Sequence, residues 1–90
     1  MSKIIYKYKI TESEDIQVEM PKGAQILHAD IMSNGMHVWA LVNPKHKLKK
    51  KTFRVIATGQ EISDYDKKHY HYIKTMIDGI FVWHLYELIE

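Results

Sequence analysis

The sequence predicts a small all-β fold, an antiparallel sandwich or barrel of about seven strands. Three observations carry this. Apolar and polar residues alternate along most of the chain, the dipeptides Asn34-Gly35 and Asp78-Gly79 each lie between apolar runs, and no segment shows a helical stripe behind a cap.

The first strand is Ile4–Ile10, where Ile4, Tyr6, Tyr8 and Ile10 alternate with lysines on a solvated face and Ile5 is the one break. Thr11 to Asp15 is polar and turn-like, and Ile16, Val18 and Met20 form a short second strand ended by Pro21-Lys22-Gly23. Asn34-Gly35 joins Ile26–Met32 to Met36–Val42, and Asp78-Gly79 joins Tyr72–Ile77 to Ile80–Leu88. Both dipeptides favour the type I′ turn, whose twist suits antiparallel strands. Thr52–Thr58 alternates as a further strand, Thr58-Gly59 marks its end, and Gln60 to Lys68 reads as a loop. With no linker and no repeat, residues 1–90 make one domain.

A chain of 90 residues has a thin core, and the absence of cysteine removes both disulfide reinforcement and thiolate chemistry. Self-association is the remaining reinforcement, so a homo-oligomer is expected. Apolar runs such as Val38–Val42 are too short to cross a bilayer, and the N-terminus alternates where a signal peptide would be apolar. These features predict a cytosolic protein without a membrane partner. A net charge of +2 does not favour a DNA or RNA polymer, whereas a small phosphorylated ligand needs only a few local cations.

Turn geometry assigns side chains to faces. With Asn34-Gly35 as a two-residue loop, Ile31 pairs with Val38, Ala29 with Ala40 and Leu27 with Val42 on an apolar core face. The opposite face pairs Met32 with His37, Asp30 with Trp39, and His28 with Leu41. Large apolar groups among histidines and a carboxylate suit a ligand or a second subunit better than bulk water. On Thr52–Thr58, Phe53, Val55 and Ala57 point inward while Arg54, Ile56 and Thr58 point outward. If this strand neighbours Met36–Val42, Arg54 and Thr58 share a face with Trp39, and an aromatic plane, a guanidinium and hydroxyls suit a nucleobase and its phosphate. The structural alternative keeps Trp39 half-buried in the core and pairs Arg54 with an acid.

The last hairpin is apolar on both sides. Tyr72, Met76, Phe81, Trp83 and Leu85 share one face; Ile73, Thr75, Ile77, Ile80, Val82, His84 and Tyr86 share the other. Either the hairpin is central and covered twice, or a partner chain covers it; the partner is preferred, in a dimer or a tetramer. The candidate ligand-binding residues are therefore Trp39, Arg54, Thr58, His28, His37 and His84.

Catalytic chemistry finds no support. His69-Tyr70-His71 would set two imidazoles on one strand face, but no local spacing supplies a third ligand, so no metal is expected. The glycines are single and far apart, which excludes a phosphate loop, and no serine has a nucleophile context. Neither a catalytic residue nor a cofactor is assigned. The basic run Lys45–Lys51 reads as a protruding connection, either a solvated loop tip or a device steering anions toward the neighbouring face.

Met20-Pro21-Lys22-Gly23-Ala24, Val38-Trp39-Ala40-Leu41-Val42-Asn43, Phe53 with Thr58-Gly59, and Phe81-Val82-Trp83-His84-Leu85 together resemble a large family of small phage-encoded proteins of formerly unknown function. The resemblance spans nearly the whole chain and extends to anti-CBASS nucleotide sponges. It implies an oligomer that sequesters a cyclic dinucleotide, such as a cyclic GMP-AMP, in the cytoplasm of the infected bacterium without cleaving it. It supplies no map of a pocket. The competing expectations are direct inhibition of a host protein and, less supported, a phosphodiesterase.

Overall fold

The computed structural model describes residues 2–11 and 15–89, so most of the turn expected over Thr11 to Asp15 lies outside the described residues. Seven strands follow one another: β1 Ile4–Ile10, β2 Ile16–Pro21, β3 Gln25–Met32, β4 Gly35–Val42, β5 Leu48–Ala57, β6 His69–Asp78 and β7 Phe81–Ile89. They form two antiparallel sheets, a three-stranded one ordered β1-β4-β3 and a four-stranded one ordered β2-β5-β7-β6. The fold is the expected all-β sandwich. Ile10, Ala29, Val38, Ala40 and Val42 of the first sheet pack with Ile16, Met20, Phe53, Met76 and Leu85 of the second in a single core. Full burial of a side chain as large as Phe53 contributes roughly 1.5–3 kcal/mol. Pro21, which has no amide hydrogen to donate, ends β2 on a sheet edge, where the ladder tolerates it.

Both hairpins turn one residue away from the expected place. Met32 pairs with Gly35, so Ser33 and Asn34 occupy the first turn; Asp78 pairs with Phe81, so Gly79 and Ile80 occupy the second. Neither turn is type I′, because Asn34 and Ile80 do not take positive φ. In the first, Gly35 carries the positive φ (113°) just after the turn; in the second, Gly79 carries it (61°) at the leading position, as a type II′ turn requires. Moving a turn by one residue shifts each cross-strand partner by two, which leaves side chains on their faces. Ala29, Ile31, Val38 and Ala40 accordingly still face the core.

Two bulges do change faces. The register of β3 shifts between Ile26 and His28, so Leu27 leaves the core face expected for it, lies 46% exposed, and yields its place to Ile26. The register of β6 shifts between Tyr72 and Lys74, which sets Tyr72 opposite Tyr86 and away from the side of Met76 and Leu85. Both bulges lie on edge strands, and there Lys74 Nζ donates to the Ala29 carbonyl at 2.8 Å, tying the two sheets together.

The basic run is mostly strand. Lys49, Lys50 and Lys51 pair with Met20, Glu19 and Val18, and the residues before Leu48 fold back: His46 Nδ1 donates to the Lys22 carbonyl at 2.9 Å. The connection is therefore shorter than a protruding tip, because β2 extends the pairing of β5 to Leu48.

Candidate functional site

Strand order decides which candidate residues meet. Strand β5 lies between β2 and β7, not beside β4, so Arg54 and Thr58 do not share a face with Trp39. The six candidates divide into two groups on opposite outer faces of the sandwich.

Trp39, His28 and His37 lie on the outer face of the three-stranded sheet. The Trp39 ring has His28 at 5.5 Å and His37 at 6.3 Å between centroids, and Lys7 is its cross-strand partner on β1. His37 Nδ1 donates to the Gly35 carbonyl at 2.9 Å, which orients the ring.

Arg54, Thr58 and His84 belong to the other side. Thr58 Oγ1 and His84 Nε2 are 2.8 Å apart, His84 Nδ1 meets Thr75 Oγ1 at 2.9 Å, and Thr75 meets the Tyr72 hydroxyl at 2.7 Å. Arg54 is only 8% exposed, and its donors are already engaged. Its Nε and Nη2 donate to Asp15, its Nη1 donates to Asp64 and to the Tyr70 hydroxyl, and Tyr70 in turn donates to Asp64. Burial works against the guanidinium charge, but Asp15 and Asp64 raise its pKa regardless. The Tyr70 hydroxyl bond, with Arg54 behind it, lowers Asp64 to about 2; burial and the same Asp64 contact push Tyr70 up to about 12. Tyr65 stacks on Tyr70 with centroids 5.3 Å apart, so the loop over residues 58–68 folds across this face. In the last hairpin β7 is central and its inner side meets the core, and the loop crosses part of the sheet's outer side while Tyr72, Ile77 and Ile80 stay exposed.

The structure adds a cleft that face assignment missed. Between the sheets, at the end where the β3–β4 and β6–β7 turns meet, lies a cleft of about 510 Å³. Ile10, Ile31, Met36, Val55 and Trp83 give it apolar walls; Lys9, Thr11, Asn34 and Asp78 supply its polar groups. Phe81 stacks on Trp83 at 5.8 Å and 21° between planes, holding the indole in place. An apolar hollow of this size with a few convergent polar groups fits a small-molecule site. The signal available in the sequence was the pairing of Phe81 with Trp83 on the core side of the hairpin, close to a turn.

Among the described residues no group of three or more His, Cys, Asp or Glu side chains could hold a metal ion, and no helix is long and apolar enough to cross a membrane. The chain belongs to the family described as a domain of unknown function (DUF7352), whose model matches residues 1–90. No curated protein and no solved structure matches it.

Proposed function

We propose that this member of the DUF7352 family is a phage-encoded binding protein that sequesters a cyclic dinucleotide defence signal without cleaving it. The carrying observation is the cleft of about 510 Å³ that sets the Trp83 indole near one cation, Lys9, and one carboxylate, Asp78. A nucleobase gains by stacking on an indole, a phosphate is attracted by an ammonium, and base N–H groups find acceptors in a carboxylate or amide. Sequestration needs affinity and preorganisation, and the Phe81–Trp83 stack supplies the latter. The site proposed is this cleft in place of a Trp39–Arg54 face, since Arg54 already serves Asp15 and Asp64. Action in the cytoplasm of the infected host follows from the same reading.

A second reading rests on the tip of the last hairpin, where Ile77 and Ile80 are 75% and 90% exposed beside Phe81. An apolar tip of this kind suits a protein partner, and on this reading the chain inhibits a host protein directly. One experiment separates the two. The protein is incubated with a panel of cyclic oligonucleotides, freed of unbound nucleotide and heat-denatured. Recovery of intact cyclic dinucleotide supports sequestration. Recovery of a linear product points to a hydrolase, and absence of retained nucleotide removes the proposal in favour of the protein partner.

A further inference from the structure

The outer face of the three-stranded sheet carries its charges asymmetrically. Antiparallel registers place three rows across it: Lys9–His37–Asp30, Lys7–Trp39–His28 and Ile5–Leu41–Gln25. Cations lie along β1, a carboxylate lies on β3, and Trp39 and Leu41 run down the middle on β4. The Asp30 and His28 side chains are about half exposed (54% and 51%), and Ile5 is 54% exposed. The other sheet is crossed by the 58–68 loop, whereas this face carries exposed Ile5 beside half-buried Trp39 and Leu41.

We infer that this face is a two-fold interface with a second copy of the chain. The proposal does not rest on the ligand reading; Lys9 borders the cleft as well as this face, whereas Asp30 belongs to this face alone, so Asp30→Lys separates the two. A two-fold axis in the interface plane and parallel to the strands lays β1 of one copy over β3 of the other and keeps the rows in step. Lys9 then faces Asp30 of the partner subunit, Lys7 faces His28 of the partner subunit, and the Trp39 side chains meet at the centre. An in-plane axis perpendicular to the strands would instead set β1 over β1 and bring lysines against lysines. Pairing of β1 edge to edge meets the same repulsion, because Lys3, Lys7 and Lys9 project from one side of that strand. Only the strand-parallel two-fold sets Lys9 against the carboxylate of Asp30, which His28 already approaches at 3.8 Å, around a largely apolar centre, the pattern of an interface with a polar rim. A face three strands wide and seven residues long measures roughly 14 by 23 Å, about 320 Å² on each copy and below the standard size of specific interfaces, so association should be weak, in the tens of micromolar.

Sedimentation equilibrium on the full chain tests this, with circular dichroism as the check on folding. The native chain should dimerise below about 100 µM. Asp30→Lys and Lys9→Asp should each raise the dimer dissociation constant about tenfold or more, because each sets like charges opposite one another twice. The double variant Lys9→Asp/Asp30→Lys restores opposite charges and should return the constant to within about threefold of the native value. A native chain that stays monomeric overturns the proposal. So does a dimer indifferent to either single change, or one weakened by both whose affinity the double variant does not recover.

Discussion

Arg54 Nη1 donates to both carboxylate oxygens of Asp64 at 3.1 Å, tying the loop over residues 58–68 to the centre of β5. The same guanidinium holds Asp15, just before β2, so one side chain fixes two connections that share no backbone pairing. Arg54→Ala would remove the guanidinium shared by Asp15, Asp64 and the Tyr70 hydroxyl, with Lys68 remaining 3.6 Å from Asp64. The loss should be about 1–3 kcal/mol, tempered by the partial exposure of both acids. Arg54→Lys should recover only part, since an ammonium cannot reproduce the fork. Urea unfolding measures both; an unchanged midpoint for the alanine variant would show that the network adds nothing.

The same network sets an acid limit. Asp64, lowered to about 2 chiefly by the Tyr70 hydroxyl bond, binds its proton more weakly folded than unfolded. Its contribution is therefore fully present above the ordinary carboxylate value of about 4 and is lost as pH falls from there toward 2. Tyr70, raised to about 12 by burial and by Asp64, acts at the other end: its contribution is lost as pH rises from about 10 toward 12. Thermal midpoints between pH 5 and 2 should fall more steeply in the native chain than in Asp64→Asn, which has no carboxyl to titrate there. Parallel curves would remove Asp64 from the acid response.

Alternation and turn residues made the strands legible, because side-chain period and glycine placement are local properties. Phe53 and Val55 inward with Arg54 and Ile56 outward follows from period two alone, and the structure has it so. Strand order is different. Whether β5 sits beside β4 or β7 depends on which edges pair over long sequence distances, and no local pattern encodes that. The candidate site failed on this point, since Trp39 and Arg54 were joined through a neighbour relation the fold does not contain. Leu27 and Ile73 were opaque for another reason: a bulge adds one residue to one strand, and an isoleucine or leucine serves equally on either side of it. The cleft required both facts, because it forms where two turns from different sheets come together.

Gly79 offers a test of the second turn. Its φ of 61° at the leading position of a two-residue loop is one that a Cβ disfavours, although a Cβ there would meet nothing within 4 Å. Gly79→Ala should therefore cost about 1 kcal/mol through backbone strain and not through crowding. Gly79→Asn should cost less, since asparagine tolerates positive φ better. Equal unfolding midpoints for alanine and native chains would argue that the turn adopts another form in solution.

The chain's two tryptophans, Trp39 and Trp83, allow the proposed ligand site to be located by fluorescence. Trp39→Phe leaves the cleft indole as sole reporter, and Trp83→Phe leaves the one on the outer face of the three-stranded sheet. A base stacked on Trp83 should quench the emission of the Trp39→Phe variant as a cyclic GMP-AMP is titrated in. It should leave the emission of Trp83→Phe nearly constant. Trp83→Ala should also weaken binding by one to two decades, the roughly 1–3 kcal/mol of one base–aromatic stack. Lys9→Ala should weaken it less and mainly at low salt, because a single exposed ammonium acts through a screened field. Quenching confined to the variant that retains Trp39 would move the ligand to the outer face and empty the cleft of its proposed role.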